Sequence, residues 1–189
     1  YYWWIKKYQW VTIPLALHWI VVKKDWEKVI INIWEDENDP VFFISDLLPH
    51  LAKVQMEKTA SKLIEWENLD VILWNIPLKD GDKDFVLANC LKLIKEKYNT
   101  SKEDFISWEI EIVPAWKARD AWFDRWLILW YGHDDRVCAY SSYQAIVNTT
   151  TTDRTACCLL VDKEEIWSVW ATWMQSNFFE NTIAEIQAL

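Results

Sequence analysis

Glycine is nearly missing from this chain. Its 189 residues hold 2, Gly81 and Gly132, where ordinary usage would give roughly 13. A chain so poor in glycine must put other residues wherever a tight turn needs positive φ, and bulky side chains sit there badly. An excess of basic charge is also missing. The net charge of −9 and a sequence pI near 4.8 argue against a nucleic-acid binder, which would need a basic face. No apolar run approaches the length of a membrane span, and no charged-then-apolar leader is visible at the start. Cys90, Cys138, Cys157 and Cys158 lack metal-type spacing, and vicinal cysteines within an apolar run rarely form structural disulfides. A reduced, cytoplasmic setting is the expectation.

Tryptophan is present in the opposite measure, at 16 residues. In "VVKKDWEKVIINI" two β-rich runs flank Asp25-Trp26, where a hairpin would call for Asp-Gly. Trp26 therefore occupies a slot whose local chemistry asks for glycine. In "VDKEEIWSVWATWMQS" a tryptophan falls at every third position after a pair of glutamates.

A hydrophobic fraction of 52% excludes a disordered chain, and the length suits one good-sized core or two small domains. Residues 1–35 read as β-rich, "PHLAKVQMEK" as a short helix or loop, and "DVILWNIPL" as a strand. "DKDFVLANCLKLIKEKY" predicts a helix capped by Asp82 or Asp84, with Leu87, Leu91 and Ile94 on one face and lysines toward its end. "DFISWEIEIVPA" alternates as a further strand. After Pro114 the pattern changes: "WLILWYG", the helix-like "DDRVCAYSSYQAIVN" and the apolar "TACCLLV" predict strand, helix and a strand buried on both faces. The expected organisation is α/β, with a β-rich domain over 1–115 and an α/β domain over 116–189.

Two segments carry candidate chemistry. In "TACCLLVDKEEI", Glu164 and Glu165 stand at the carboxyl end of the expected strand, where open α/β sheets build their sites. Adjacent residues in an extended chain point oppositely, so one glutamate can face a metal while the other faces a water. The plain alternative is a solvated charge cluster. In "YGHDDRVCAY", Asp134 and Asp135 stand where a helix would begin, suited to capping or to a carboxylate that bridges two cations. His133 and His18 read as surface or structural histidines.

Taken together, "YGHDDRVCAY" and "ACCLLVDKEEIWSVWATWMQS" resemble the aspartyl aminopeptidase / vacuolar aminopeptidase I family of dinuclear-zinc metallopeptidases. "YYWWIKKYQW", "ISDLLPHLAK" and "IVPAWKARDAWFDRWLILWYGHDD" resemble other stretches of the same family, so the likeness runs the length of the chain. It implies a β-rich dimerisation domain inserted in a zinc-peptidase α/β sandwich catalytic domain, of which 116–189 would be part. It implies two zinc ions, with Asp134 as the bridge, Glu165 as a ligand and Glu164 as general base. His50, in "LPHLAK", would reach the neighbouring subunit's active site, or else be a turn histidine after proline. Implied partners are peptides with a free amino terminus and further copies of the chain, as dimers building a dodecamer. The family's remaining histidine and aspartate ligands have no match here, so the expectation is an internal fragment, inactive alone.

By the same resemblance, Trp3, Trp4, Trp130, Trp167, Trp170 and Trp173 fall where family members carry glycine. Trp19, Trp26, Trp34, Trp74, Trp116 and Trp122 look similar, whereas Trp10 reads as a genuine tryptophan. One explanation is a UGA codon meant as glycine and translated as tryptophan; deliberate substitution is the rival. Two other functions stand beside the peptidase: a non-catalytic oligomerisation module that keeps the fold, and a carbohydrate-binding protein using tryptophan platforms. A glycosidase fits poorly, because adjacent Glu164 and Glu165 cannot flank a sugar at a separation of roughly 5–9 Å.

Overall fold

The computed structural model describes residues 5–34, 36–79, 84–107, 109–161 and 176–188. The chain divides into two units, Lys6–Lys117 and the pair of segments Tyr1–Ile5 with Ala118–Leu189.

The unit Lys6–Lys117 is built on three antiparallel strands, β1 (Leu15–Val22), β2 (Lys28–Ile33) and β5 (Glu109–Pro114), in the order β2-β1-β5. Strand side chains alternate between faces, and β1 follows this from Leu17 onward, whereas at its start Leu15 and Ala16 are both buried. Leu15, Leu17, Trp19 and Val21 are buried, while Ile20 is exposed. The register carries the alternation across the sheet: Leu17 lies between Ile33 and Ile112, and Trp19 between Ile31 and Ile110. His18 falls on the other face, opposite Asn32 and Glu111.

Leu17, Trp19, Val21, Ile31 and Ile33 form one buried cluster. A second gathers Val11, Leu15, Ile44 and Ile64, with Trp10 packed against it. Backbone bonds tie the second cluster to the sheet: Leu15 N–H donates to Phe42 O (2.8 Å) and Phe42 N–H to Leu15 O (2.9 Å). Two short strands, β3 (Phe43–Ile44) and β4 (Val71–Ile72), pair beside them. The expected strand "DVILWNIPL" is thus reduced to Val71 and Ile72.

The helix α1 spans Lys53–Met56, and α2 spans Phe85–Tyr98 with Lys95 and Lys97 in its last turn. Asp84 stands at the N-cap of α2, as expected, but in the left-handed region (φ 54°), and its side chain makes no capping bond. Positive φ aims the side chain away from the first-turn amides that a capping oxygen must reach. Tyr98 meets Trp19 edge-on, with ring centroids 6.3 Å apart, so the end of α2 closes the core face of the sheet.

The other unit contains the hairpin β6 (Arg119–Ala121) and β7 (Leu127–Leu129), then α3 (His133–Val147) and α4 (Asn177–Ala188). None of its described residues is buried. The expected strand in "TACCLLV" is not formed over residues 155–161, and most of its side chains are exposed. A strand needs a neighbour to take its backbone N–H and C=O groups, and no described segment pairs with this one. The hairpin β6–β7 and α3 match the strand and helix expected before it. All four cysteines are free thiols. Among the described residues, no helix is long and apolar enough to cross a membrane.

Seven non-glycine residues among those described have positive φ: Thr12, Trp26, Trp34, Asp84, Asn99, Trp122 and Arg125. Asn and Asp tolerate this region; for a bulky residue it is an outlier, and such strain costs of order 1–3 kcal/mol per site.

Adjacent residues on β2 test the assignment of faces. Ile31 is 1% exposed and Ile30 is 67% exposed. Ile31→Ala should cost about 2–5 kcal/mol, and Ile30→Ala no more than about 0.5 kcal/mol, by urea unfolding with unchanged m-value. Equal losses would mean that the inward face has been assigned wrongly.

Candidate active site

The site is built from the start of α3. Gly132 is its N-cap, at φ 63°, and no side chain makes a capping bond there. The capping role open to Asp134 and Asp135 is therefore not taken up. A cap must sit at the half-in position, and glycine already holds it. Asp134 and Asp135 lie two and three residues after it, in the first turn of the helix. There a carboxylate stands in the favourable field of the helix amino terminus.

Asp134 is exposed, and its Oδ1 accepts a long bond from Cys138 Sγ at 3.8 Å. That partner sits one helical turn on, at i+4. The helix start thus places the backbone of Asp134 and leaves its carboxylate open to solvent. Carboxylate oxygens are among the usual ligands of zinc, so the donor chemistry of Asp134 suits the metal role that the family likeness implies.

Arg136 is a positioning residue to which the sequence reading gave no role. Its Nη1 donates to Gly132 O at 3.1 Å, and its guanidinium lies over the Trp130 ring, 4.5 Å from the centroid. The i, i+4 spacing of Gly132 and Arg136 is the signal that could have found it. His133 opens α3 and is exposed.

Glu164 and Glu165 lie outside the described residues, as do Trp167, Trp170 and Trp173. Among the described residues, no three His, Cys, Asp or Glu side chains converge as a metal ion would require.

His50 belongs to the other unit, Lys6–Lys117. It sits in an exposed turn closed by Leu51 N–H and Ala52 N–H, both donating to Leu48 O, at 2.8 and 3.0 Å. Asp46 Oδ1 braces the turn by accepting from Leu47 N–H and Gln55 Nε2, each at 2.8 Å. Buried Ala52 anchors it. Its near neighbours in sequence, Leu47, Leu48, Leu51 and Val54, are all exposed, an apolar collar along the chain on either side of the histidine.

Comparison with known proteins extends the local picture. The family model described as "Aminopeptidase I zinc metalloprotease (M18)" matches residues 1–189. A probable M18 family aminopeptidase 1 of Clostridium acetobutylicum is 55% identical over 190 residues, covering 100% of this chain and 41% of the relative. The namesake from Thermotoga maritima is 40% identical over 186 residues, covering 98% of this chain and 41% of its own length. The chain therefore spans about two fifths of the curated relatives it matches. Two crystal structures superpose closely. The M18 aminopeptidase from Thermotoga maritima gives a TM-score of 0.87 at 40% identity, over 96% of this chain and 40% of that one. Aminopeptidase I from Clostridium acetobutylicum gives 0.84 at 54% identity, over 99% and 41%. The mixed α/β architecture expected from the sequence is thus that of solved M18 enzymes, and the chain belongs to the M18 family of aminopeptidase I zinc metalloproteases.

Proposed function

We propose that this chain serves a metalloaminopeptidase that removes the amino-terminal residue from peptides at a dinuclear zinc site. The observation that carries the reading is membership of the M18 family along the whole of the chain, joined to an exposed carboxylate held at the start of a helix. Asp134 would bridge the two ions and Glu165 would ligate one of them. Zinc, when bound, supplies Lewis acidity and lowers the pKa of the attacking water. Glu164 would take that water's proton and return it to the leaving amine, the ordinary work of a general base. A substrate with a free amino terminus would be held by that amine, which makes the reaction an exopeptidase one.

Further residues for the centre would come from parts of the enzyme beyond these 189. Residues 1–115 would form the inserted dimerisation domain, and 116–189 part of the catalytic domain. On this reading the isolated chain is inactive, and the working enzyme is an oligomer, with dimers building a dodecamer in the cytoplasm. The apolar collar around His50 supports a buried setting for that turn, since contiguous exposed apolar side chains mark interaction surfaces. His50 would then reach the neighbouring subunit's active site.

Full-length enzyme tests these assignments. Asp134→Asn should lower zinc content, measured by metal analysis. It should also cut hydrolysis of an aminoacyl substrate by more than the roughly 10–100-fold that loss of a metal's outer-layer partner costs. Full zinc occupancy with unchanged hydrolysis would remove Asp134 from the centre.

His50→Ala should reduce turnover by roughly 100-fold, as loss of an acid–base group does, with zinc content unchanged. Mixed with the Asp134→Asn protein, it should recover part of the activity, because hybrid dimers would hold one intact site. Unaltered kinetics, or no recovery on mixing, would show that the histidine does not work across subunits.

A further inference from the structure

The tryptophans are the feature of the sequence that peptidase function does not absorb, and the backbone sorts them. Trp26, Trp34 and Trp122 have φ of 67°, 95° and 67°. Trp10 and Trp19 do not share this conformation, and both pack in the core.

Each of the three stands at a hydrogen-bonded chain reversal or strand exit. Between β1 and β2, Trp26 N–H donates to Lys23 O and Lys23 N–H donates to Glu27 O, both at 2.9 Å. That is a three-residue hairpin loop, a turn followed by one left-handed residue, and glycine is the residue that the left-handed position favours. The register Val22↔Lys28 on one side of it leaves no freedom to move the left-handed step elsewhere. Trp122 stands at the corresponding reversal between β6 and β7. It directly follows the pair Ala121↔Leu127 and accepts from Arg125 N–H at 3.3 Å. Trp34 leaves β2 with its N–H on Asp39 Oδ2 at 3.1 Å.

Packing offers no compensation at the two turns. Trp26 is 84% exposed and Trp122 is 66% exposed. A large apolar ring placed in water on a strained backbone combines the two least favourable conditions for tryptophan, and both vanish with glycine. The deficit points the same way, since 2 glycines are far too few to serve the turns of a fold this size.

We propose that the chain made in its own cells carries glycine at positions 26, 34 and 122 and tryptophan at position 10. The tryptophans at the first three arise where a codon that the cell reads as glycine has been decoded as tryptophan. UGA is the natural candidate, one base away from the glycine codon GGA.

Peptide mass mapping of the enzyme purified from its own cells decides the matter, because the two residues differ by a large fixed mass. Glycine at 26, 34 and 122 with tryptophan at 10 is the expected result. Tryptophan at any of the three, or glycine at 10, overturns the proposal. Stability of the recombinant full-length enzyme gives a second reading. Trp26→Gly with Trp122→Gly should raise Tm by several degrees, the shift that relief of such strain implies, whereas Trp10→Gly should lower it. A fall in Tm for the turn variants would show that the indoles belong where they are.

Discussion

The fold of Lys6–Lys117 depends on β1 being paired along both edges. An inner strand has its N–H and C=O groups satisfied on either side, and only then can its apolar face be buried without leaving orphaned polar groups. The burial that follows is of Leu15, Leu17, Trp19 and Val21. A slip of one residue would turn His18, Ile20 and Val22 inward instead, so the register is held by hydrophobic burial as much as by hydrogen bonds. One partner, β2, arrives through a tight local turn. The other, β5, arrives only after α1, β3, β4 and α2. The local turn must therefore comply with the sheet. Its left-handed residue is set by the strands on either side, whatever side chain happens to occupy it.

The same logic of a rigid element aiming a side chain governs the candidate site. The left-handed Gly132 and the Arg136 guanidinium on its carbonyl fix where α3 begins. Asp134 follows within the first turn, at the electropositive end of the helix. A residue on a helix start has its backbone placed by the helix's own hydrogen bonds rather than by side-chain packing. His50 is directed differently, on a turn braced by Asp46 and anchored by Ala52.

Among the described tryptophans, two sets stand at opposite extremes. Trp10 and Trp19 behave as large apolar residues do, packed against Leu, Ile and Val in ordinary backbone conformations. Trp26 and Trp122 stand exposed at chain reversals with positive φ, contributing area to solvent and strain to the backbone. The family likeness places Trp19, Trp74, Trp116 and Trp130 with the glycine-like positions, yet none of the four has positive φ. Trp26 was recognisable beforehand because Asp25-Trp26 sits between two β runs. Trp34 and Trp122 were singled out by the family likeness and gained a physical basis when their dihedral angles became visible.

The sequence by itself determined the strands and helices whose periodicity is strong. The β-rich runs that become β1 and β2, the alternation in "DFISWEIEIVPA" that becomes β5, the 3.6-residue pattern of α2 and the helix at "DDRVCAY" are local properties, legible in the residue types and their spacing. It also determined the family, through motifs in which residue types recur together. Tertiary structure alone decided the rest. Which strand flanks β1 on its second edge, and that "TACCLLV" pairs with nothing described, depend on partners distant in sequence. That Gly132 rather than an aspartate caps α3 depends on a dihedral angle. Pairing and backbone handedness are set by hydrogen bonds to the surroundings, and no residue carries that information within its own side chain.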